Sequence, residues 1–358
     1  MKIIYANTYY DPEESSGGNA HIFQFIKNAH KQGHEVWSWP QVKHPDCIKL
    51  PTSRLAKLRV MRQCDAVIYR IEDSVPQHIN LMSFKYRRLL KSPKFIWEFN
   101  TVPEYGLLHG KSQKDVDSTI RSLSELAHLV DLAICVSDEL AGYVRKIIGV
   151  KNVIVAPNGS DIDHFRPNCP AVPRASYFAA TLNLIWMGSA RLKWVDFELL
   201  HQAANLLWES EHRDKIMVHV VGQGMPPMRQ MPPNIQYHAA ELYENLPGWL
   251  SAMDVGLVSY KPGPADFSSP LKLFDYLASG LAVITTEQPQ AAAVLAELDQ
   301  HTSILKQGDA MGLVNLLEMF LDEPDLLQKY KMASRKIAID KYNWSNTVSI
   351  VFDAIKQI

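Results

Sequence analysis

Cysteine is scarce in this sequence. Its 358 residues hold four: Cys47, Cys64, Cys135 and Cys169, with no CxxC pair and no spacing that suggests a disulfide framework or a metal site. No metal is expected. Long apolar runs are also missing. None approaches the ~18 residues of a membrane-spanning helix, and the chain opens on a strand rather than on a secretory leader. The expected compartment is the cytoplasm. Nor is there an excess of charge: the formal net charge is −1, which argues against nucleic acid as the partner. The balance is uneven, however, with residues 1–170 mildly basic and the remainder mildly acidic. Finally, the GxGxxG fingerprint of a dinucleotide site is absent.

Apolar residues are plentiful, and at this length they suffice for two cores. The pattern along the chain is strand, loop, helix, repeated. Lys2 to Ala6 is a short apolar strand. A polar loop through Ser15-Ser16-Gly17-Gly18 leads to a helix from Ala20 to Gln32, and Glu35 to Trp39 is the next strand. Two adjacent glycines at the loop-to-helix junction let a ligand approach the backbone, although a plain turn is an equal reading. Further strands fall at Ala66–Tyr69, Lys94–Phe99, Leu132–Val136 and Asn152–Ala156. A basic stretch holds Lys49, Arg54, Lys57, Arg59 and Arg62. A second holds Lys85, Arg87, Arg88, Lys91 and Lys94. Both read as solvated helix faces or as surfaces toward anionic lipid or a diphosphate-linked acceptor. Polar residues at the C-terminal end of a strand in an open α/β sheet line the ligand crevice. That places Glu98 and Asn100 in a candidate acceptor-side site, the alternative for Glu98 being a structural ion pair with an arginine.

Pro167 to Pro173 reads as a linker, giving domains at 1–168 and 175–342. In the second domain Leu182–Trp186 is a strand, Gly188 to Lys193 a glycine loop with two cations, and Asp196–Trp208 a helix. Ile216–Val221 is a strand that ends on Gly222-Gln223-Gly224. Ile235–His238 and Val255–Ser259 are strands, and Ser345–Ile358 is a closing amphipathic helix. Because every strand is followed by a loop and a helix, both sheets should be parallel and covered on both faces. Two such domains facing one another make a cleft.

The most informative stretch is Ser268 to Thr285. Ser269 reads as the N-cap and Pro270 as the first residue of a helix that stops at Gly280, before an apolar strand. The first amides of such a helix, at Leu271 and Lys272, form an anion site. Lys272 stands in the first turn against the helix dipole, which suggests that a negative group comes to meet it. Asp275 lies on the same face and would accept hydrogen bonds from sugar hydroxyls. Phosphate donors beside a hydroxyl acceptor suggest a nucleotide with Asp275 on its ribose. The bland alternative is an ordinary amphipathic helix with a proline start.

Five stretches, in order, carry a resemblance to a known family. They are Ser16-Gly17-Gly18-Asn19-Ala20-His21 with Gly33-His34-Glu35-Val36; Val136-Ser137 with Val155 to Phe165; Met187 to Trp194; Val220-Val221-Gly222-Gln223-Gly224; and Leu271 to Ile284. Together they resemble the retaining glycosyltransferases of family 4. The resemblance implies the α/β GT-B fold: two Rossmann-like, doubly wound parallel-sheet domains facing a cleft, with the last helix crossing back to the first domain after Trp344.

The resemblance also implies roles. Arg191 and Lys193 would neutralise the donor diphosphate. Gly17, Gly18, Gly188, Gly222, Ser269, Leu271 and Lys272 would line its site, and Asp275 would take the ribose. No metal or other cofactor is implied beyond a nucleotide-sugar co-substrate, UDP-glucose or similar. The acceptor would be a glycan or lipid-linked saccharide in envelope or exopolysaccharide synthesis, with peripheral contact to the inner face of the membrane. The departures are specific. The family's first Glu is Phe267 here, with Asp266 beside it; its second Glu is Asp275; Trp194 replaces a glycine; and Glu98 to Asn100 stand where many relatives have His. His21 is a further acceptor-side candidate. Alternative readings are a UDP-sugar 2-epimerase, a phosphorylase, or a non-catalytic sugar-nucleotide-binding protein.

Overall fold

A computed structural model of the protein describes residues 1–6, 10, 17–39, 42–51, 53–71, 93–170, 180–224 and 232–358. Ser15, Ser16, the basic residues Lys85, Arg87, Arg88 and Lys91, and the linker from residue 171 on lie outside the described residues. The chain divides into two compact units. The first comprises Met1–Asn158, Phe267–Ser269 and Trp344–Ile358; the second comprises Gly159–Asp266 and Pro270–Asn343. The division falls at Asn158–Gly159 rather than at 168.

In the first unit, seven parallel strands lie in the order β3-β2-β1-β4-β5-β6-β7. They are β1 (Lys2–Ala6), β2 (Glu35–Trp39), β3 (Cys47–Lys49), β4 (Ala66–Ile71), β5 (Lys94–Phe99), β6 (Leu132–Cys135) and β7 (Val153–Val155). β4 is buried along its whole length, as a strand covered on both faces must be. The helices are α1 (Gly17–Lys31), α2 (Arg54–Gln63), α3 (Tyr105–Leu108), α4 (Gln113–Leu126) and α5 (Asp138–Tyr143). Ser112 and Asp115 close a reciprocal capping box on α4, and the Ser137 hydroxyl caps α5, each satisfying amides that a helix start leaves open. Beyond α5 the helical path widens into a π turn from Val144 to Ile148, so the chain is helical from Asp138 to Ile148 and stops at Gly149.

The last helix of the chain belongs to this unit. Trp344–Gln357 packs its Val348, Val351, Phe352 and Ile355 into the same core as Ile22, Phe25 and Ile26 of α1. The Thr347 hydroxyl donates to the Pro157 carbonyl at 2.8 Å.

The second unit has six parallel strands in the order β10-β9-β8-β11-β12-β13. They are β8 (Leu182–Ser189), β9 (Ile216–Gln223), β10 (Ile235–Ala239), β11 (Val255–Val258), β12 (Ala282–Thr286) and β13 (Ile304–Leu305). Its helices are α6 (Phe197–Glu209), α7 (Leu246–Leu250), α8 (Leu271–Ala278), α9 (Pro289–Glu297), α10 (Ala310–Asp322) and α11 (Pro324–Asp340); the closing helix of the first unit is α12. Apolar residues fill both faces of the sheet. One core holds Trp186, Leu199 and Leu313, and the other holds Trp249, Phe274 and Leu277. Both sheets are therefore parallel and helix-covered, as the sequence pattern predicts.

Candidate functional site

The ends of β8 and β9 form a floor of bare backbone. Gly188 and Gly222 face each other in register. Gly188, Gly222 and Gly224 have φ of 143°, 155° and 74°, conformations that side chains resist. A Cβ on Gly222 would lie 1.7 Å from the Gly188 carbonyl oxygen, and one on Gly224 would lie 2.2 Å from Arg191 Cγ. Glycine is thus required by the chain's own packing, and the same absence of side chains opens the backbone to a ligand.

Lys272 overhangs this floor. Its Nζ comes within 3.0 Å of where a Gly188 Cβ would sit. It lies 4.3 Å from the centroid of Trp186 and 5.4 Å from that of Tyr260. Ring faces attract a cation but do not neutralise it. Burial pushes the ammonium down to about 7, and no carboxylate among the described residues pairs with it.

The helix beneath it is α8, and its start differs from the sequence reading. The N-cap is Pro270, with no side-chain cap. Ser269 serves another partner: its hydroxyl accepts from the Asn158 N–H at 3.1 Å and its carbonyl from Asn158 Nδ2 at 2.8 Å. The N–H groups of Leu271 and Lys272 have no acceptor among the described residues. At the other end, Gly280 has φ 72°. The Leu281 N–H bonds the Tyr276 carbonyl and the Gly280 N–H that of Leu277, a Schellman stop. The Met187 N–H donates to the Tyr276 hydroxyl at 3.0 Å, which ties α8 to the end of β8.

Asp275 stands one turn into α8. Its Oδ1 accepts from the Ser160 hydroxyl at 2.7 Å. Burial raises the carboxyl to about 7, against the Ser160 hydrogen bond and with help from Asp161. Its second oxygen has no hydrogen-bond partner among the described residues. Arg191 is exposed and its side chain crosses Gly224. Lys193 is exposed and makes no hydrogen bond, ion pair or ring contact among the described residues. Lys272, Gly188, Gly222, Gly224 and Arg191 are the members the structure gathers.

In the first unit, Glu98 is 3 % exposed. It accepts from the Tyr5 hydroxyl at 2.6 Å, from His21 Nε2 at 2.9 Å and from Arg70 at 3.5 Å. Burial alone would raise its carboxyl. His21, Arg70 and Tyr5 outweigh it and hold the group at about 2. His21 Nδ1 meets Asn158 Oδ1 at 2.7 Å. The ion-pair alternative is thus the arrangement present: the carboxylate is enclosed by its partners. Asn100 follows β5, and its buried Nδ2 has no hydrogen-bond partner. Gly17 and Gly18 are the exposed first residues of α1. Phe267 turns its ring to Tyr143 at 5.6 Å, and its carbonyl accepts from the Ser137 hydroxyl. Asp266 accepts from the Gly263 N–H, closing its own turn. Among the described residues, no three His, Cys, Asp or Glu side chains are placed to hold a metal, and no helix is long and apolar enough to cross a membrane.

Trp186, Tyr260 and Ser160 were not singled out from sequence. A signal existed for Trp186: it precedes Gly188 by two on a strand, so both side-chain positions share a face.

Residues 181–323 match the family model described as glycosyl transferases group 1. No curated protein matches the chain. Among solved structures, sucrose-phosphate synthase from Thermosynechococcus elongatus aligns over 99 % of this chain and 98 % of its own, at 14 % identity and TM-score 0.72. Anabaena HepE in complex with UDP-glucose aligns over the whole of both chains, at 12 % identity and TM-score 0.67. WaaG, a glycosyltransferase involved in lipopolysaccharide biosynthesis, aligns over 99 % of each, at 14 % identity and TM-score 0.67. The fold is that of the solved GT-B glycosyltransferases, and the residues that match the glycosyl transferases group 1 model fall in the second unit apart from Phe267–Ser269.

Proposed function

We propose that this chain is a retaining, family 4-type glycosyltransferase. It moves a hexose from a UDP-sugar to a sugar hydroxyl on a glycan or lipid-linked saccharide, on the cytoplasmic side and without a metal. The observation that carries this reading is Lys272: a cation with no carboxylate partner among the described residues, above bare glycines and at the amino end of a helix whose first amides have no acceptor among them. Such a group is suited to a diphosphate. Asp275, one turn further on, suits the ribose hydroxyls. The solved HepE complexes with UDP-glucose and UDP support a uridine donor.

In the proposed step, the bond from the anomeric carbon to the diphosphate oxygen breaks. The acceptor oxygen bonds to that carbon on the same face, and its proton passes to the departing diphosphate. The protein then supplies positioning and charge stabilisation rather than a covalent nucleophile. Lys272, Arg191 and the Leu271 and Lys272 amides stabilise the leaving group, and Asp275 fixes the nucleotide.

A thermal-shift screen with UDP-, GDP- and ADP-sugars tests the donor, because a ligand that binds only the native state raises its melting temperature. Stabilisation by a UDP-sugar, followed by transfer to a glycan with retained configuration and without loss in EDTA, is expected. No stabilisation by any nucleotide sugar overturns the reading. Donor turnover without acceptor would indicate an epimerase, and binding without turnover a non-catalytic protein.

A further inference from the structure

We propose that Ser160 is a positioning residue for the donor site: it pins one oxygen of Asp275, so that this carboxylate reads one ribose hydroxyl of the nucleotide instead of both. The inference rests on the donor reading above and deepens it, because that reading does not decide how the ribose is recognised. Ser160 is 1 % exposed, and its hydroxyl donates to Asp275 Oδ1 at 2.7 Å. Its backbone is fixed as well. The Ser160 N–H donates to the Tyr342 carbonyl at 3.1 Å, and Ser160 forms an isolated parallel bridge with Asn343. Asn343 Nδ2 in turn donates to the Ile339 carbonyl at 2.9 Å, near the end of α11. The Tyr342 ring packs on Phe274, with centroids 5.4 Å apart, one residue before Asp275 on α8. The hydroxyl and the helix that carries its acceptor are thus braced against the same turn, all within the second unit.

Most side-chain hydrogen bonds go to backbone groups or water, and losing one affects stability alone. Ser160 instead serves a half-buried carboxylate that has no cationic partner among the described residues. Burial makes an under-paired carboxylate costly, which suits a group held for a ligand. A carboxylate that is free to turn offers one oxygen to each of two neighbouring hydroxyls. Here Oδ1 is turned toward a buried side chain, and Oδ2 has no hydrogen-bond partner among the described residues. A ribose docked at Asp275 therefore meets Oδ2 with one hydroxyl, and the other is left to different partners.

The test is calorimetric titration of the full chain with UDP, 2′-deoxy-UDP and 3′-deoxy-UDP. In the parent, one deoxy analogue should bind about 10- to 100-fold more weakly than UDP, as expected for a lost hydrogen bond to a charged group, and the other within about threefold of UDP. Ser160→Ala should bring the two analogues to within about threefold of each other, because Asp275 is then free to turn. Ser160→Thr keeps the hydroxyl and should keep the asymmetry. A second readout is the pH profile. Ser160→Ala leaves the burial and the Asp161 charge that raise the Asp275 carboxyl and removes the hydrogen bond that lowers it. Its acid-side loss of UDP affinity should begin at a higher pH than in the parent. A merely structural serine would lower the melting temperature of Ser160→Ala and leave both readouts at parental values. Equal losses for the two analogues in the parent, or a parental asymmetry that survives in Ser160→Ala, overturns the proposal. A parent that does not bind UDP overturns the donor reading itself, and this inference with it.

Discussion

The Lys272 ammonium lies 4.3 Å from the centroid of the Trp186 ring, over Gly188 near the end of β8. Its charge is attracted but unneutralised there. A diphosphate would complete it, and the gain would grow as negative charge builds on the leaving group. Lys272→Met keeps the bulk and removes the charge. It should lower kcat/KM on the order of 10²–10³-fold, as loss of an oxyanion donor does. Arg191→Ala should cost less, because that side chain is exposed and its field is screened. Lys193→Ala, at an exposed side chain with no hydrogen bond, ion pair or ring contact among the described residues, should stay near wild type. Steady-state kinetics on the three variants checks the ranking; equal losses at Lys272 and Lys193 would refute it.

Lys272 and Asp275 also predict a proton linkage with two limbs. Both groups are brought to about 7, the ammonium downward and the carboxyl upward. Diphosphate binding favours the charged ammonium, so above pH ~7 it takes up a proton and affinity falls as pH rises. Ribose binding favours the carboxylate, so below pH ~7 it releases a proton and affinity falls as pH drops. UDP-glucose affinity should therefore peak near neutrality. Lys272→Met should leave only the acid limb, and Asp275→Asn only the alkaline one. Calorimetry in buffers of different ionisation enthalpy reads the protons directly; heats independent of buffer in all three proteins would exclude the linkage.

The legible parts of the fold were those set by local pattern. β1, β2 and β5 have the bounds expected from sequence, because β1 and β5, buried on both faces, are short apolar runs, and β2 alternates buried and half-buried residues, the pattern of a strand covered on one face. Gly280 was read as a helix stop, since its left-handed φ is a local need. The start of α8 was misread for a long-range reason. Ser269 looks like a cap, but Asn158 takes its hydroxyl and carbonyl, and no window of sequence around 269 contains Asn158. The aromatic walls around Lys272 have the same origin. Trp186 on β8 and Tyr260 after β11 become neighbours only because β8 and β11 pair in the sheet. Lys193, a cation beside a glycine loop, has no hydrogen bond, ion pair or ring contact among the described residues.

Glu98 is predicted to hold the first unit together. Removing its charge leaves Arg70 and His21 without their carboxylate, in a buried position where that typically costs about 3–5 kcal/mol. The pH dependence follows from its lowered carboxyl. A folded-state value of about 2 against an ordinary 4.5 gives stability that is full above pH ~4.5 and lost as pH falls toward 2. Glu98→Gln should shift urea unfolding of the first unit to lower denaturant and flatten that acid dependence. A variant of parental stability that had lost only turnover would reassign Glu98 to the chemistry.

His219 makes the opposite kind of group in the second unit, a buried base kept neutral. Its Nε2 faces Asn183 Oδ1 at 3.0 Å and its Nδ1 faces His238 at 3.4 Å. His238 itself packs on Trp249, ring centroids 4.5 Å apart. Burial, and secondarily the charge of His238, lowers His219 from 6.5 to about 3. The unfolded chain therefore takes up a proton near pH 6.5 while the native state does not, and stability falls as pH drops from 6.5 toward 3. The slope from this one group approaches about 1.4 kcal/mol per pH unit. Native-state hydrogen exchange of the β9 amides should show protection lost over that window. His219→Gln, which keeps a donor for Asn183, should remove about one proton from the slope. Parallel pH profiles for variant and parent would show that His219 carries no proton linkage to folding.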